Sequence, residues 1–270
     1  MDLSIIIVNY NTKDLLHDCL VSISKTVKKL VYETIIVDNN SSDGSPGMVR
    51  DLFPSVELIC NSANVGFSRA NNQGYSHSRG ECLLFLNSDT LALDCAIEKM
   101  VDYLNSHPKV GVVGPKILNS TEQPTRSYMR FLDIKKLFWG SKRLRLFVDV
   151  DKHRIHFPTY DYDSTRRTEW LSGACLMIKR DIFRQTGLFD EGYFLYLEDM
   201  DLCLQVRGLG YDVVYLPAAE IIHLFGGSSK GGNGKLNQAY RDSMGHYFKK
   251  NFPISHYWMA RIYLTFFHPS

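Results

Sequence analysis

The sequence predicts an α/β protein, a mainly parallel central sheet flanked by helices, and three observations carry that prediction. Apolar runs of strand length, rich in β-branched residues, recur at residues 3–8, 34–37, 56–60 and 81–86. Stretches with apolar residues at helical spacing lie between them. Three of the runs stop abruptly in polar residues, as strands do when they deliver loops to one edge of a parallel sheet. With 270 residues, 44% of them hydrophobic, the chain can bury one large core.

The first run, Leu-Ser-Ile-Ile-Ile-Val, is a buried strand closed by Asn9-Tyr10-Asn11. Thr12 stands where it would cap a helix carrying Leu15, Leu16, Cys19, Leu20 and Ile23 on one side. The second strand ends in Asp38 and a loop, 39–44, too polar to be other than exposed. After the third, Asn64-Val65-Gly66-Phe67 turns into a helix over 68–78, and the fourth runs into Asn87-Ser88-Asp89-Thr90. Right-handed crossovers then bring Asn9-Tyr10-Asn11, Asp38 and 87–89 to one crevice beyond the strand ends.

Side chains two apart on an extended segment point the same way. Asn87 and Asp89 can therefore share one divalent cation through oxygen, a donor pattern that suits magnesium or manganese bound with a substrate's phosphates. The competing reading is a strand-to-helix turn in which Asp89 or Thr90 caps the next helix. Asp38 can accept hydrogen bonds from a base or ribose, or stabilise its own loop. Arg69 and Asn72, near a helix start, suit a diphosphate, or else face solvent.

A helix over 93–105 precedes Gly111-Val112-Val113-Gly114-Pro115, where the character changes. From 118 to 167 periodicity fades, and 130–147 is basic and aromatic, fit to lie on an anionic membrane or to pack on its own domain. Residues 170–178 hold a strand after a small-residue turn. In 187–202, Asp190, Glu191, Glu198, Asp199 and Asp201 surround an aromatic run. Unpaired charges are costly to bury, so these carboxylates are exposed, paired or employed; Glu198, Asp199 and Asp201 also suit the first turn of a helix through Arg207. A strand over 211–216 follows. His223 is either a third metal ligand or a packed residue. The glycine-rich 226–235 is a lid over phosphates or a mobile tip, and it lacks the spacing of a Walker loop. The aromatic tail, 257–267, suits an interfacial helix.

A net charge of +2 argues against nucleic acid as partner. The six cysteines form no CxxC pair and read as reduced, buried hydrophobes of a cytoplasmic protein. The first residues carry no signal-peptide pattern.

Taken in order, Ser4 to Asn11, Val37 to Gly44, Asn64 to Asn72, Leu86 to Asp89, Leu171 to Ala174 and Glu198 to Leu202 resemble the motifs of family-two glycosyltransferases. The likeness is greatest to the rhamnosyltransferase-like branch of bacterial polysaccharide synthesis, and it spans residues 3 to about 228. The resemblance implies the GT-A fold, a dTDP-, UDP- or GDP-linked sugar donor, Mn2+ or Mg2+, and inversion at the anomeric carbon. It implies that Val8, Asn9, Tyr10, Asn11 and Asp38 hold the nucleoside. Asn64, Gly66 and Arg69 would line the donor, with Asn40, Asn72 and Ser88 completing the nucleotide-sugar set. Asn87 and Asp89 stand at the family's D-x-D metal motif, with His223 as a further ligand. Asn87 replaces the first Asp, which should weaken the cation's hold until the donor diphosphate is present. Asp199 stands at the catalytic base, with Trp170, Gly173 and Glu198 on the acceptor side.

The implied organisation is a transferase domain over 1–235, with 1–115 as its nucleotide-sugar half and 116–235 as its acceptor half. A helical, membrane-associating extension would follow over 236–270. The implied acceptor is a lipid-linked glycan at the cytoplasmic face of the plasma membrane, so an anionic membrane surface is a candidate partner. A sugar-nucleotide pyrophosphorylase is the rival enzyme, but Asn9-Tyr10-Asn11-Thr12-Lys13 stands where those resemble G-x-G-T-R-x-x-P. A non-catalytic binder on the same scaffold would have no use for Asp199. No GxGxxG follows a predicted strand, which disfavours a dehydrogenase.

Overall fold

In the computed structural model, residues 1–132, 148–149, 154–155, 160–224 and 233–267 are described. The first half runs β1 (Leu3–Asn9), α1 (Lys13–Thr26), β2 (Tyr32–Asp38), α2 (Ser45–Leu52), β3 (Glu57–Cys60), α3 (Phe67–His77) and β4 (Cys82–Asn87). β2 and β4 flank β1, both parallel to it, and β3 lies parallel outside β2. The chain thus moves outward from β1 on one side and returns on the other. Loops leaving β1 and β4 diverge there, and the crevice between them is where open α/β sheets take ligands.

The remainder runs β5 (Thr90–Ala92), α4 (Ala96–Ser106), β6 (Val110–Leu118), β7 (Pro124–Thr125), β8 (Tyr128–Met129), β9 (Val148–Asp149), β10 (Arg154–Ile155), β11 (Arg166–Thr168), β12 (Trp170–Leu171) and β13 (Cys175–Lys179). It closes with α5 (Arg180–Gln185), α6 (Glu198–Gly208), β14 (Asp212–His223), α7 (Asn233–Asn251) and α8 (Ile254–Phe267). The main sheet has the order β11-β14-β6-β13-β4-β1-β2-β3. It is mixed: β3-β2-β1-β4 and the β6-β14 pair are parallel, whereas β13 runs antiparallel to both β4 and β6, and β11 antiparallel to β14.

Alternation along β1 sends Ile5 and Ile7 to one face, against Leu16, Cys19 and Ile23 of α1, and Ile6 to the other, with Phe85, Phe183 and Phe189. A third cluster joins Tyr193, Leu197 and Met200 to Met244, Tyr247 and Phe248 of α7 and Ala260 and Leu264 of α8. The C-terminal helices therefore pack on the segment that leads into α6. Cys19, Cys82, Cys175 and Cys203 are buried, as expected, while Cys60 and Cys95 are exposed; none is bonded to another.

Several local expectations change. Residues 110–118, where sequence character shifts at two glycines and a proline, form the central strand β6. Its glycines mark close approaches rather than a break: a Cβ at Gly111 would lie 2.7 Å from Val206 Cγ1, and one at Gly114 3.1 Å from Leu171 Cδ1. β14 extends to His223, beyond the strand expected at 211–216, because Ile221 and Ile222 pair with both β5 and β6. α2 is not among the helices the sequence predicts; it is short, begins at a Ser-Pro-Gly sequence, and buries Met48 and Val49. Thr12 sits at the N-cap of α1 but makes no capping bond; the Lys13 amide donates instead to Asp43 Oδ2 at 2.8 Å. Nor does Asp89 or Thr90 cap a helix, since β5 follows directly. The basic segment beyond residue 132 and the glycine-rich stretch through 232 lie outside the described residues.

Candidate active site

Four elements end at one edge of the sheet. β1 delivers Asn9, whose amide is fully buried and fully engaged: Nδ2 donates to Asp38 Oδ2 at 2.7 Å and Ser41 Oγ at 3.0 Å, while Oδ1 accepts from Thr12 Oγ1 at 2.6 Å. Thr12 Oγ1 also lies 2.8 Å from Ser88 Oγ, which ties the loop after β1 to the loop after β4 across the crevice. Asp38, also buried, accepts the Ser41 amide through Oδ1 at 2.8 Å. Both residues thus shape the wall of the crevice, and Asp38 does stabilise its own loop. Tyr10, Asn11 and Asn40 are exposed at the rim, and Val8 is half-buried. Asn11 and Asn40 have φ of 54° and 66°, left-handed values that asparagine tolerates better than most residues.

The start of α3 is built for a close approach. Gly66 has φ 89°, and a Cβ there would lie 2.7 Å from Phe194 O. That carbonyl accepts the Phe67 amide at 2.7 Å, so one of the helix's unsatisfied donors is taken by the loop before α6. Asn64 Oδ1 accepts the Gly66 amide at 3.0 Å. Arg69 is exposed and 3.6 Å from Glu191, so its guanidinium can reach a diphosphate at little cost. Asn72 spends its amide on the chain: Nδ2 donates to Phe189 O at 2.8 Å and Oδ1 accepts the Phe189 amide at 3.1 Å.

At the end of β4, Asn87, Asp89 and His223 come together from positions far apart in sequence. β14 and β5 place His223 opposite Thr90. Its Nε2 lies 3.1 Å from Asp89 Oδ1 and 3.5 Å from Asn87 Nδ2. Neighbouring ligands of an octahedral ion at about 2.1 Å sit about 3 Å from one another, so the carboxylate and imidazole fit two adjacent positions. Turning the Asn87 amide, whose two ends are alike in shape, would bring its oxygen to the same place. Among the described residues no three His, Cys, Asp or Glu side chains form a metal-binding group. The donor set is therefore a partial one that suits a cation arriving with phosphate oxygens.

Asp199 opens α6 and points back at the turn before β13. Its Oδ2 accepts the Gly173 amide at 2.7 Å and its Oδ1 accepts the Met200 amide at 2.8 Å. Gly173 gives this contact room, since a Cβ there would lie a tight 3.2 Å from Asp199 Cβ. Burial raises the Asp199 carboxyl to about 6, against the pull of those amides. Burial and the neighbouring Asp199 charge push Glu198 well above the ordinary range, and its Oε2 has no hydrogen-bond partner among the described residues. Trp170, on β12, donates its indole N–H to Arg130 O at 2.9 Å.

The two acidic neighbourhoods share this edge. Cys175 of β13 pairs with Leu86 of β4, and the next bond in that ladder runs from the Asn87 amide to Ala174 O at 2.9 Å. Asp199 therefore reaches β4 through two consecutive residues, Gly173 and Ala174, whose Cα atoms are about 3.8 Å apart. Sequence reasoning missed the parts that hold this edge in shape: Ser41 and Thr12 across the crevice, Asp43 on α1, and Phe194 O on α3. Ser41 and Asp43 were visible only as members of a polar loop.

An α/β crevice at the strand ends, with a partial cation site and a half-buried carboxylate tied to the same edge, is an arrangement that suits a transferase. The description Glycosyl transferase family 2 matches residues 4–187, and the chain belongs to that family. It is 27% identical over 245 residues to an N-acetylglucosaminyl-diphospho-decaprenol L-rhamnosyltransferase of Mycobacterium tuberculosis, covering 82% of this chain and 75% of that protein. It is 25% identical to a dTDP-rhamnosyl transferase of Shigella flexneri, covering 83% of this chain and 69% of that one. In fold it resembles a mannosyltransferase of Pyrobaculum calidifontis in complex with GDP-Man and Mn2+, with TM-score 0.61 and 18% identity over 98% of this chain and 70% of the other. It also resembles GalNAc-T7 with UDP, GalNAc and Mn2+, with TM-score 0.67 and 16% identity over 97% and 54%. The fold is GT-A, and the chain is a family-two glycosyltransferase of rhamnosyltransferase-like type.

Proposed function

We propose that this glycosyltransferase moves rhamnose or another hexose, with inversion, from a nucleoside-diphosphate donor to a lipid-linked glycan acceptor in cell-surface polysaccharide synthesis. The observation that carries the reading is the path from Asp199 Oδ2 to the Gly173 amide, 2.7 Å, and from Ala174 O to the Asn87 amide, 2.9 Å. It keeps a proton acceptor at a fixed place beside the crevice where a donor diphosphate would lie.

In the proposed reaction the acceptor hydroxyl attacks the anomeric carbon, its bond to the diphosphate breaks, and Asp199 takes the hydroxyl proton. A carboxyl raised to about 6 is ionised at neutral pH yet more basic than an ordinary aspartate. Asp89 and His223, with Asn87 beside them, would hold a divalent cation, Mn2+ or Mg2+, which when bound neutralises charge on the departing diphosphate. Arg69, exposed near the start of α3, would add a cation, and Trp170, Gly173 and Glu198 would border the acceptor side.

The lipid-linked part rests on two supports. The mycobacterial relative is named for a decaprenol-linked substrate. On α8, Ile254, Trp258 and Ile262 recur at intervals of four residues and are 63%, 60% and 48% exposed, an apolar stripe suited to the membrane interface. Among the described residues no helix is long and apolar enough to cross a membrane. The proposed setting is the cytoplasmic face of the plasma membrane. The test is a thermal-shift panel of dTDP-, UDP- and GDP-sugars with manganese, since a bound donor raises the melting temperature, followed by NMR assignment of the product anomer. Stabilisation by one nucleotide class and an inverted anomer are expected. A retained anomer, or no stabilisation by any donor, overturns the proposal.

A further inference from the structure

The acidic stretch before and within α6 carries two carboxylates that the proposed chemistry does not use. Asp190 and Asp201 lie at either end of the segment that bears Asp199, and one ammonium holds both: Lys250 Nζ is 2.8 Å from Asp190 Oδ2 and 2.7 Å from Asp201 Oδ2. The Asp201 side chain is only 4% exposed, so its charge is committed to this contact. The same helix holds the segment at other points. Ser243 Oγ donates to Leu195 O at 2.8 Å, Asn251 Nδ2 to Asp201 Oδ1 at 2.7 Å, and His246 Nε2 lies 3.0 Å from Asp190 Oδ2. Positions 243, 246, 250 and 251 share one face of α7.

Between the two anchors the backbone is strained. Tyr196 and Leu197, both bulky, have φ of 73° and 68°. Such residues stay left-handed only where the surrounding structure over-determines them, and here the turn they make is what starts α6 with Asp199 aimed at Gly173. Two residues after Asp199, Asp201 fixes the first turn of that helix.

We infer that Lys250 is a positioning residue for the proposed base, its ammonium locking both ends of the Asp190–Asp201 segment so that α7 sets where the Asp199 carboxylate stands. The inference rests on the reading of Asp199 as base. A displacement of about 1 Å at a reacting group can cost about a hundredfold in rate, so a loosened anchor should act on turnover before donor binding.

The experiment uses the full chain with its donor and acceptor. Lys250→Met is expected to lower kcat by about ten- to a hundredfold while donor affinity by calorimetry is unchanged, and Lys250→Arg is expected to recover most of the loss. Introduced into Asp199→Asn, Lys250→Met is expected to have little further effect on residual transfer, because a residue acting through the base has nothing left to position. If Lys250→Met does not fold, a triple variant, Asp190→Asn, Asp201→Asn and Lys250→Met, removes the lysine without leaving either carboxylate unpaired; the same loss of kcat is expected. Wild-type kcat in Lys250→Met or in the triple variant, or equal losses with and without Asp199, overturns the inference alone. Wild-type turnover in Asp199→Asn by itself overturns the base assignment and the inference with it.

Discussion

Replacing Asp199 by asparagine should separate chemistry from folding. The carboxylate accepts two amides, Gly173 at 2.7 Å and Met200 at 2.8 Å, on different oxygens. Asparagine offers one oxygen, so one amide loses its acceptor at a cost of about 1–3 kcal/mol. Against this, burial raises the wild-type carboxyl from 3.8 to about 6, so ionising it at pH 7 costs the fold about 3 kcal/mol, and asparagine removes that cost. The two effects nearly cancel, and the variant should melt within a few degrees of wild type. Turnover should nevertheless fall by about 10²–10⁴-fold, the usual worth of a general base. Donor affinity by calorimetry should hold. The pH dependence follows with a definite sign: the base must be unprotonated, so wild-type kcat/KM should fall as pH drops through about 6. Stability moves oppositely. Because the folded-state pKa is raised, this carboxyl's destabilising effect is present above about 6 and fades as pH falls toward 3.8; that part of the pH dependence should vanish in Asp199→Asn. A variant that turns over like wild type would refute the reasoning and move the proton acceptor to another group, Glu198 first.

Asp89→Ala should abolish manganese-dependent donor binding, because His223 and Asn87 alone offer no anionic ligand; intact manganese-dependent calorimetry would reject the metal role. Gly66→Ala forces a Cβ to within 2.7 Å of Phe194 O at a φ of 89° and should destabilise the protein by about 1–3 kcal/mol in urea unfolding; an unchanged midpoint would contradict the contact. Trp258→Ser should weaken sedimentation with anionic liposomes at low salt without changing transfer to a soluble acceptor analogue; unchanged sedimentation would remove the membrane role from α8.

The parallel half of the fold is legible because β1, β2 and β4 are apolar on both faces and closed by polar residues, which only a covered sheet explains. The edge that gathers Asn9, Asp38, Asn87 and Asp89 follows from the same pattern. β6 escapes because glycine and proline usually interrupt strands, whereas here Gly111 and Gly114 admit Val206 and Leu171 against the sheet. The direction of β13 has no sequence signal, since an apolar run reads alike both ways. The sequence leaves Asp190 and Asp201 exposed, paired or employed, and does not decide among these because their partner Lys250 lies about fifty residues on. Asn9 and Asn72 carry a lesson about motifs: both spend their amides on the scaffold beside the site, which residue type and spacing do not reveal.

The position of β13 bears on how this protein can be taken apart. It lies between β4 and β6 in the interior of the main sheet, while β6 itself runs from Val110 through Leu118, across the junction of the two sequence halves. Cleaving or permuting the chain near residue 115 would cut β6 itself, the strand that joins β13 to β14, and leave their hydrophobic flanks unpaired, the kind of border that recruits foreign strands. Engineers wishing to exchange acceptor preference should therefore graft peripheral loops and retain β6, β13 and β14 as a single inherited block.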